Sequence, residues 1–204
     1  MNQLVSIVGV SGAGKTTLVR ALARTGKFTT AYEGHAERPF QALFKGDPRY
    51  ALANQVDYFL VRAAQEWDLR GTRIGSTTGL MDGGLDLDFH GFTRLFHHQG
   101  LLSGPEFDLC GRLYAYIRAS QPPPELIVRL CADEGTVTGR LAGRDRINIA
   151  RPEDTSLFDA FIDEWLASLP TDNVLRLDVS QETADYETSV KIILGHLKYV
   201  TSLV

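Results

Sequence analysis

The chain has 204 residues, 44% hydrophobic and 23% charged, and 21 basic against 25 acidic side chains leave a formal net charge of −4. That is enough for one domain with a sizeable core, and it speaks against a general nucleic-acid coat or a polybasic membrane anchor. Two cysteines, Cys110 and Cys131, are too few for a disulfide framework or a thiolate zinc site. With no leader-like start and no apolar run near ~20 residues, a soluble, cytoplasmic protein is expected.

Residues Leu4 to Val8 (LVSIV) are apolar and β-branched, suited to a buried parallel strand. GVSGAGKTT follows from Gly9 to Thr17, and then the helical pattern LVRALAR. Strand, G-x-x-x-x-G-K-T and helix form the phosphate-binding loop in the context it requires. Small residues let successive backbone N–H groups curl around phosphate oxygens, with the positive end of the helix behind them. Gly9, Ser11, Gly12, Ala13, Gly14, Lys15, Thr16 and Thr17 are therefore candidate nucleotide-binding residues. Lys15 can reach the outer phosphates and the Thr16 hydroxyl can ligate Mg2+, so ATP and Mg2+ are the expected cofactors.

Further along, Phe28 to Glu33 reads as a second strand, and Pro48 to about Leu69 as a long helix with Leu52, Val56, Phe59, Leu60 and Ala63 at helical spacing. Ser76 to Met81 is a third strand weakened by Gly79, and Phe89 to His98 and Pro105 to Ser120 are helical. Three prolines, Pro122 to Pro124, stop that helix and lead into the strand ELIVRLC. A short helix over Glu134 to Ala142 precedes the basic GRDR. Leu157 to Leu169 is helical, Val174 to Val179 a fifth strand, and Thr183 to Lys198 a closing helix. This alternation predicts one α/β domain with a five-stranded parallel sheet and helices on both faces. The five histidines (His35, His90, His97, His98, His196) show no metal-ligand spacing, and Trp67 and Trp165 read as core or interface residues.

The phosphate loop, the Glu33 segment, RPFQALFKGDPRYALANQVDYFLVR, the basic RLAGRDR and the closing LDVSQETADYETSVKIILGHL follow one another in an order that resembles the deoxynucleoside kinase family. That family includes deoxycytidine, deoxyguanosine and bacterial deoxyadenosine kinases. The resemblance implies a P-loop NTPase fold with an arginine-bearing lid at about 140–153 and transfer of the γ-phosphate of ATP to a nucleoside 5′-hydroxyl. It also implies a homodimer built from the long helices, and no nucleic-acid or membrane partner.

Carried over position by position, Glu33 takes the place of the general base, at a strand end that opens onto the ligand crevice. Gln55 and Arg62 match a Q-x6-R pair about two helical turns apart, facing one way, with the amide on the base edge and the arginine setting base preference. Asp88 and Phe92 follow Asp82 at the family's spacing, the aspartate joining the arginine and the ring stacking on the base; for Phe92 a core position is an equal reading. Asp82 itself corresponds to the acidic group near Mg2+. Arg140, Arg144 and Arg146 fit the lid signature R-x3-R-x-R, whose guanidinium groups can close over phosphate oxygens. Asp178 to Asp185 resembles the loop holding the donor's base.

Three positions depart from the family pattern. Its D-R-S or E-R-S reads Asp82-Gly83-Gly84, which removes a fixed positive charge of the kind worth ~10²–10³ in rate. A tyrosine that binds the sugar 3′-hydroxyl aligns with Phe44, and its glutamate partner falls at Ile149. These changes leave open a different substrate, a lost activity, or a rearranged lid in which Glu153 takes over. The readings to separate are a deoxynucleoside kinase, a nucleotide-binding protein without turnover, and a kinase whose small-molecule acceptor is not a nucleoside.

Overall fold

A parallel sheet buried on both faces needs strands apolar at nearly every position, and the first strand meets this demand with all five residues buried. The computed structural model describes residues 3–32, 38–71, 78–142 and 154–201. Its strands are β1 Leu4–Val8, β2 Phe28–Ala31, β3 Thr78–Asp82, β4 Leu126–Cys131 and β5 Val174–Asp178, in the order β2-β3-β1-β4-β5 and all parallel. The register sets Ile7 beside Asp82 and Val8 beside Arg129, which aligns the C-terminal ends of the three central strands.

The helices are α1 Lys15–Ala23, α2 Pro39–Gly46, α3 Ala51–Gly71, α4 Leu85–Leu87, α5 Arg94–His98, α6 Gly104–Ser120, α7 Glu134–Ala142, α8 Thr155–Ala167 and α9 Glu187–Thr201. The α/β architecture and the five parallel strands are those expected from the alternation of the sequence. Leu4 packs with Leu69 of α3 and Met81, whereas Val5 and Ile7, on the opposite face, belong to the cluster holding Leu18, Leu22 and Ile193. A second cluster, with Phe59, Phe96, Cys110 and Ile117, joins α3, α5 and α6. No helix among the described residues is long and apolar enough to cross a membrane.

Local differences from the sequence-based expectation have identifiable causes. Pro39 opens α2, a helix not anticipated, because its ring supplies the dihedral and lacks only an N–H that a first turn leaves unused. The long helix is preceded by a 3-10 turn at Pro48–Tyr50, where Asp47 accepts a hydrogen bond from Arg49 N at 3.0 Å. Tyr186, at φ +51°, turns the chain just before α9, so that helix starts at Glu187 rather than Thr183. Helical structure runs from Leu85 to His98, but Asp88–Thr93 within it is π-helical. Such wide turns are frequent at functional sites.

Candidate active site

The C-terminal ends of β1 and β3 carry the phosphate loop and Asp82 side by side. Thr16 donates its hydroxyl to Asp82 Oδ2 at 2.5 Å, and Asp82 is fully buried. Lys15 Nζ lies across the loop, donating to the carbonyls of Gly9 at 2.9 Å and Val10 at 3.1 Å. A hydroxyl and a buried carboxylate are hard oxygen donors, and Mg2+ takes one or two of these together with phosphate oxygens and water. The pair fits that ion.

On the other side of the loop, Gly12, Gly14, Thr17, Arg140, Glu182, Thr183, Ala184 and Tyr186 line a cavity of about 350 Å³. Arg140 on α7 closes one wall, donating from Nη1 to Ala13 O and from Nη2 to Val179 O, each at 3.0 Å. Glu182 accepts from the backbone N of Ser189 at 2.7 Å and from its hydroxyl at 2.6 Å, pinning this wall to the start of α9. Gly14, at φ +100°, carries no side chain for a steric reason: a Cβ there would fall on the Tyr186 hydroxyl. Glu182 and Thr183 lie in the Asp178-to-Asp185 stretch singled out from the sequence, whereas Tyr186 lies one residue beyond it and was missed.

A third group of side chains lies beyond β3. Gln55 donates from Nε2 to the Thr93 hydroxyl at 3.0 Å, and Thr93 donates to the Asp88 carbonyl at 2.9 Å, closing the π turn. Arg62 donates from Nε to Asp88 Oδ2 at 3.1 Å. All four residues are buried. Gln55, Arg62 and Asp88 are thus brought together as the sequence predicts, and Thr93 ties them into one unit. Its role has no local signal, because it depends on a contact between helices far apart in the chain.

A model described as deoxynucleoside kinase matches residues 5–200. The chain belongs to the deoxynucleoside kinase family. Among solved structures, it is similar to a deoxyadenosine kinase from M. mycoides with the products dCMP and a flexible dCDP bound. The TM-score is 0.72 at 16% identity, over 97% of this chain and 100% of that one. The same M. mycoides enzyme with dATP bound gives a TM-score of 0.77 at 15% identity, again over 97% and 100% of the chains. At these identities the likeness is one of fold. No curated protein sequence matches the chain significantly.

In this family member, two candidate acceptor residues take part in packing. The Phe44 ring meets Phe96 at 5.1 Å and belongs to the α3–α5–α6 cluster. Phe92 meets Phe158 of α8 at 4.7 Å, which is the core position that was its alternative reading. Glu33, Arg144, Arg146, Ile149 and Glu153 lie outside the described residues. Of the lid arginines, the described one, Arg140, holds the loop and β5 rather than extending outward.

Behind the Gln55–Asp88 group, Arg118 on α6 donates to both oxygens of Glu66, at 2.6 and 3.0 Å, and to Asp86 Oδ1 at 2.8 Å. Burial by itself would lower the Arg118 pKa, but Asp86 and Glu66 outweigh it and hold the guanidinium above its ordinary value. Tyr114 donates to Asp86 at 2.7 Å and lies 3.3 Å from His90 Nε2, while His90 stacks on Trp165 with ring centroids 5.1 Å apart.

Burial pushes the His90 pKa down to about 4, with the Asp86 carboxylate opposing the shift. The unfolded chain, with an ordinary imidazole, takes up the proton first. The resulting stability is full above about pH 6.5 and is lost as pH falls through about 4, by about 3 kcal/mol at pH 4. Thermal melts at pH 7 and pH 4 should therefore show a smaller acid-induced fall for His90→Phe than for the wild type. Equal falls would place the acid sensitivity elsewhere.

Proposed function

We propose that the chain transfers the γ-phosphate of ATP, with Mg2+, to the 5′-hydroxyl of a deoxynucleoside. The observation that carries this reading is the buried Gln55–Thr93–Asp88–Arg62 unit, whose Arg62 Nη2 lies beside Gly83, the neighbour of Asp82. An amide, a carboxylate and a guanidinium held rigidly together offer both donors and acceptors, as the edge of a nucleobase requires. In this reading Lys15 and the loop backbone hold the phosphates, Arg140 and the Glu182–Tyr186 wall surround the donor's base, and Thr16 and Asp82 hold Mg2+. The ion supplies charge neutralisation between donor phosphates. Glu33 accepts the proton of the 5′-hydroxyl, Arg144 and Arg146 stabilise the transferring group, and Gln55, Arg62 and Asp88 read the base.

A coupled ATPase assay over a panel of deoxynucleosides tests this. Turnover with one or more of them is expected. Tight ATP binding with no turnover would remove the reading, and turnover with a non-nucleoside alcohol alone would redefine the acceptor.

The homodimer belongs to the same proposal. Leu60 and Trp67, about two turns apart on α3, are 57% and 63% exposed, and Leu109 and Tyr116 repeat that spacing on α6 at 41% and 78%. The two helices pack against each other, and each carries exposed apolar side chains of the kind that interfaces cover. The wild type should sediment at twice 22.5 kDa and a Leu60→Glu/Trp67→Glu variant at 22.5 kDa. A wild-type monomer would reject the dimer.

A further inference from the structure

Arg62 starts on the buried face of α3, yet its guanidinium reaches well past Asp88. Nη1 donates to Gln65 Oε1 at 3.1 Å, and Gln65 Nε2 donates to the carbonyl of Tyr32, just beyond β2, at 3.1 Å. Nη2 lies beside Gly83, just beyond β3: a Cβ built on Gly83 would stand 3.3 Å from Nη2 and 3.9 Å from Cζ. One planar cation therefore serves the C-terminal edges of two neighbouring strands, where an open parallel sheet opens onto its ligand. The residue before Gly83 is Asp82, the partner of Thr16.

Gly83 is matched to this arrangement twice over. Its φ of +81° is a conformation that side-chain-bearing residues rarely adopt, and any Cβ would press on the guanidinium. The Ser6 hydroxyl donates to the Gly83 carbonyl and fixes that backbone. Phosphoryl transfer, for its part, needs fixed donors where charge spreads over the transferring group. Lys15 and Arg140 are held on carbonyls of the phosphate loop, whereas Arg62 approaches from the acceptor side and is only 3% exposed, in low dielectric.

Resting on the kinase reading, we infer that Arg62 is a catalytic cation of the transfer step, admitted to the reaction centre by the missing side chain of Gly83. The glycine at a position where related kinases carry an arginine is then a relocation of positive charge from β3 to α3. Arg62 keeps its partner Asp88, so the same guanidinium links base reading to the chemistry.

Steady-state kinetics of the full chain test this with Arg62→Lys and Gly83→Ala. A lysine keeps the charge but cannot address Asp88, Gln65 and the Gly83 edge at once. Arg62→Lys should lower kcat by ~10²-fold, a larger effect than any accompanying change in the nucleoside KM or the ranking of bases. Gly83→Ala, which displaces the guanidinium without removing it, should lower kcat by ~10-fold with the same split. If Arg62→Lys fails to fold, as judged by thermal melting and ATP titration, Gly83→Ala decides alone. A raised KM or reordered base preference with kcat retained would mean that Arg62 reads the base only, and would overturn the inference. Absence of turnover in the wild type would instead overturn the kinase reading and this inference with it.

Discussion

Asp82→Asn is expected to lower phosphate transfer by ~10²–10³ and to raise the Mg2+ concentration needed for half-maximal rate. Asp82 is fully buried and accepts from the Thr16 hydroxyl at 2.5 Å, so the substitution removes the negative charge of the pair and nearly nothing else in shape. The amide can present its nitrogen to Thr16 and turn the hydroxyl away from its orientation. Thr16→Val probes the same pair from the other end and should shift the Mg2+ requirement the same way, because one change removes the charge of the pair and the other its hydroxyl oxygen. ATP affinity measured without Mg2+ should be much less affected, since the loop backbone and Lys15 are untouched. An unchanged Mg2+ requirement in both variants would exclude the pair as the metal site.

Glu33→Gln should nearly abolish transfer, by ~10²–10⁴, with ATP affinity intact. The amide matches the carboxylate in size but cannot accept the proton of the attacking hydroxyl. Tyr32, the residue before Glu33 in the sequence, is anchored from α3, because Gln65 donates to its carbonyl. A fall in kcat with an unshifted Kd for ATP is the expected pattern, measured by single-turnover phosphate transfer and by titration. Turnover equal to wild type would remove Glu33 as the base.

Asp82 and Glu33 differ in what marks them along the chain. Asp82 and Thr16 are near each other in space because β3 and β1 pair in register, with Ile7 beside Asp82. The sequence places each at the end of its own strand or loop, and the pairing of parallel strands does the rest. Glu33 rests on a resemblance carried by segments in a recognisable order, within the stretch 5–200 that the family model matches. In each case local pattern or chain order is what marks the residue.

Other residues needed the folded chain. Thr93 carries no motif, and only the π turn at Asp88–Thr93 lets its hydroxyl reach the Asp88 carbonyl while accepting from Gln55. Gln65 reads as one more polar position of a long helix until its amide is seen between Arg62 and Tyr32. His90, which shows no metal-ligand spacing, is half-buried between Tyr114 and Trp165, and burial pushes its pKa down to about 4. Phe44 and Phe92 match the spacing of substrate contacts, yet their rings meet Phe96 and Phe158. Aromatic residues near a site satisfy the same spacing whether they face a ligand or a core.

The strand–loop–helix that binds phosphate, the alternation that builds a parallel sheet, and the residue types of the Gln55, Arg62 and Asp88 group are legible along the chain. That is because backbone hydrogen bonding and hydrophobic periodicity are set by neighbours a few residues away. Which partner each buried charge takes is settled by packing between distant segments. Net charge offers no hint that Arg118 is divided between Glu66 and Asp86, or that Arg62 fills the space beside Gly83. A buried cation must find its counter-charges within hydrogen-bond reach, and that reach is measured across packed helices rather than along the chain.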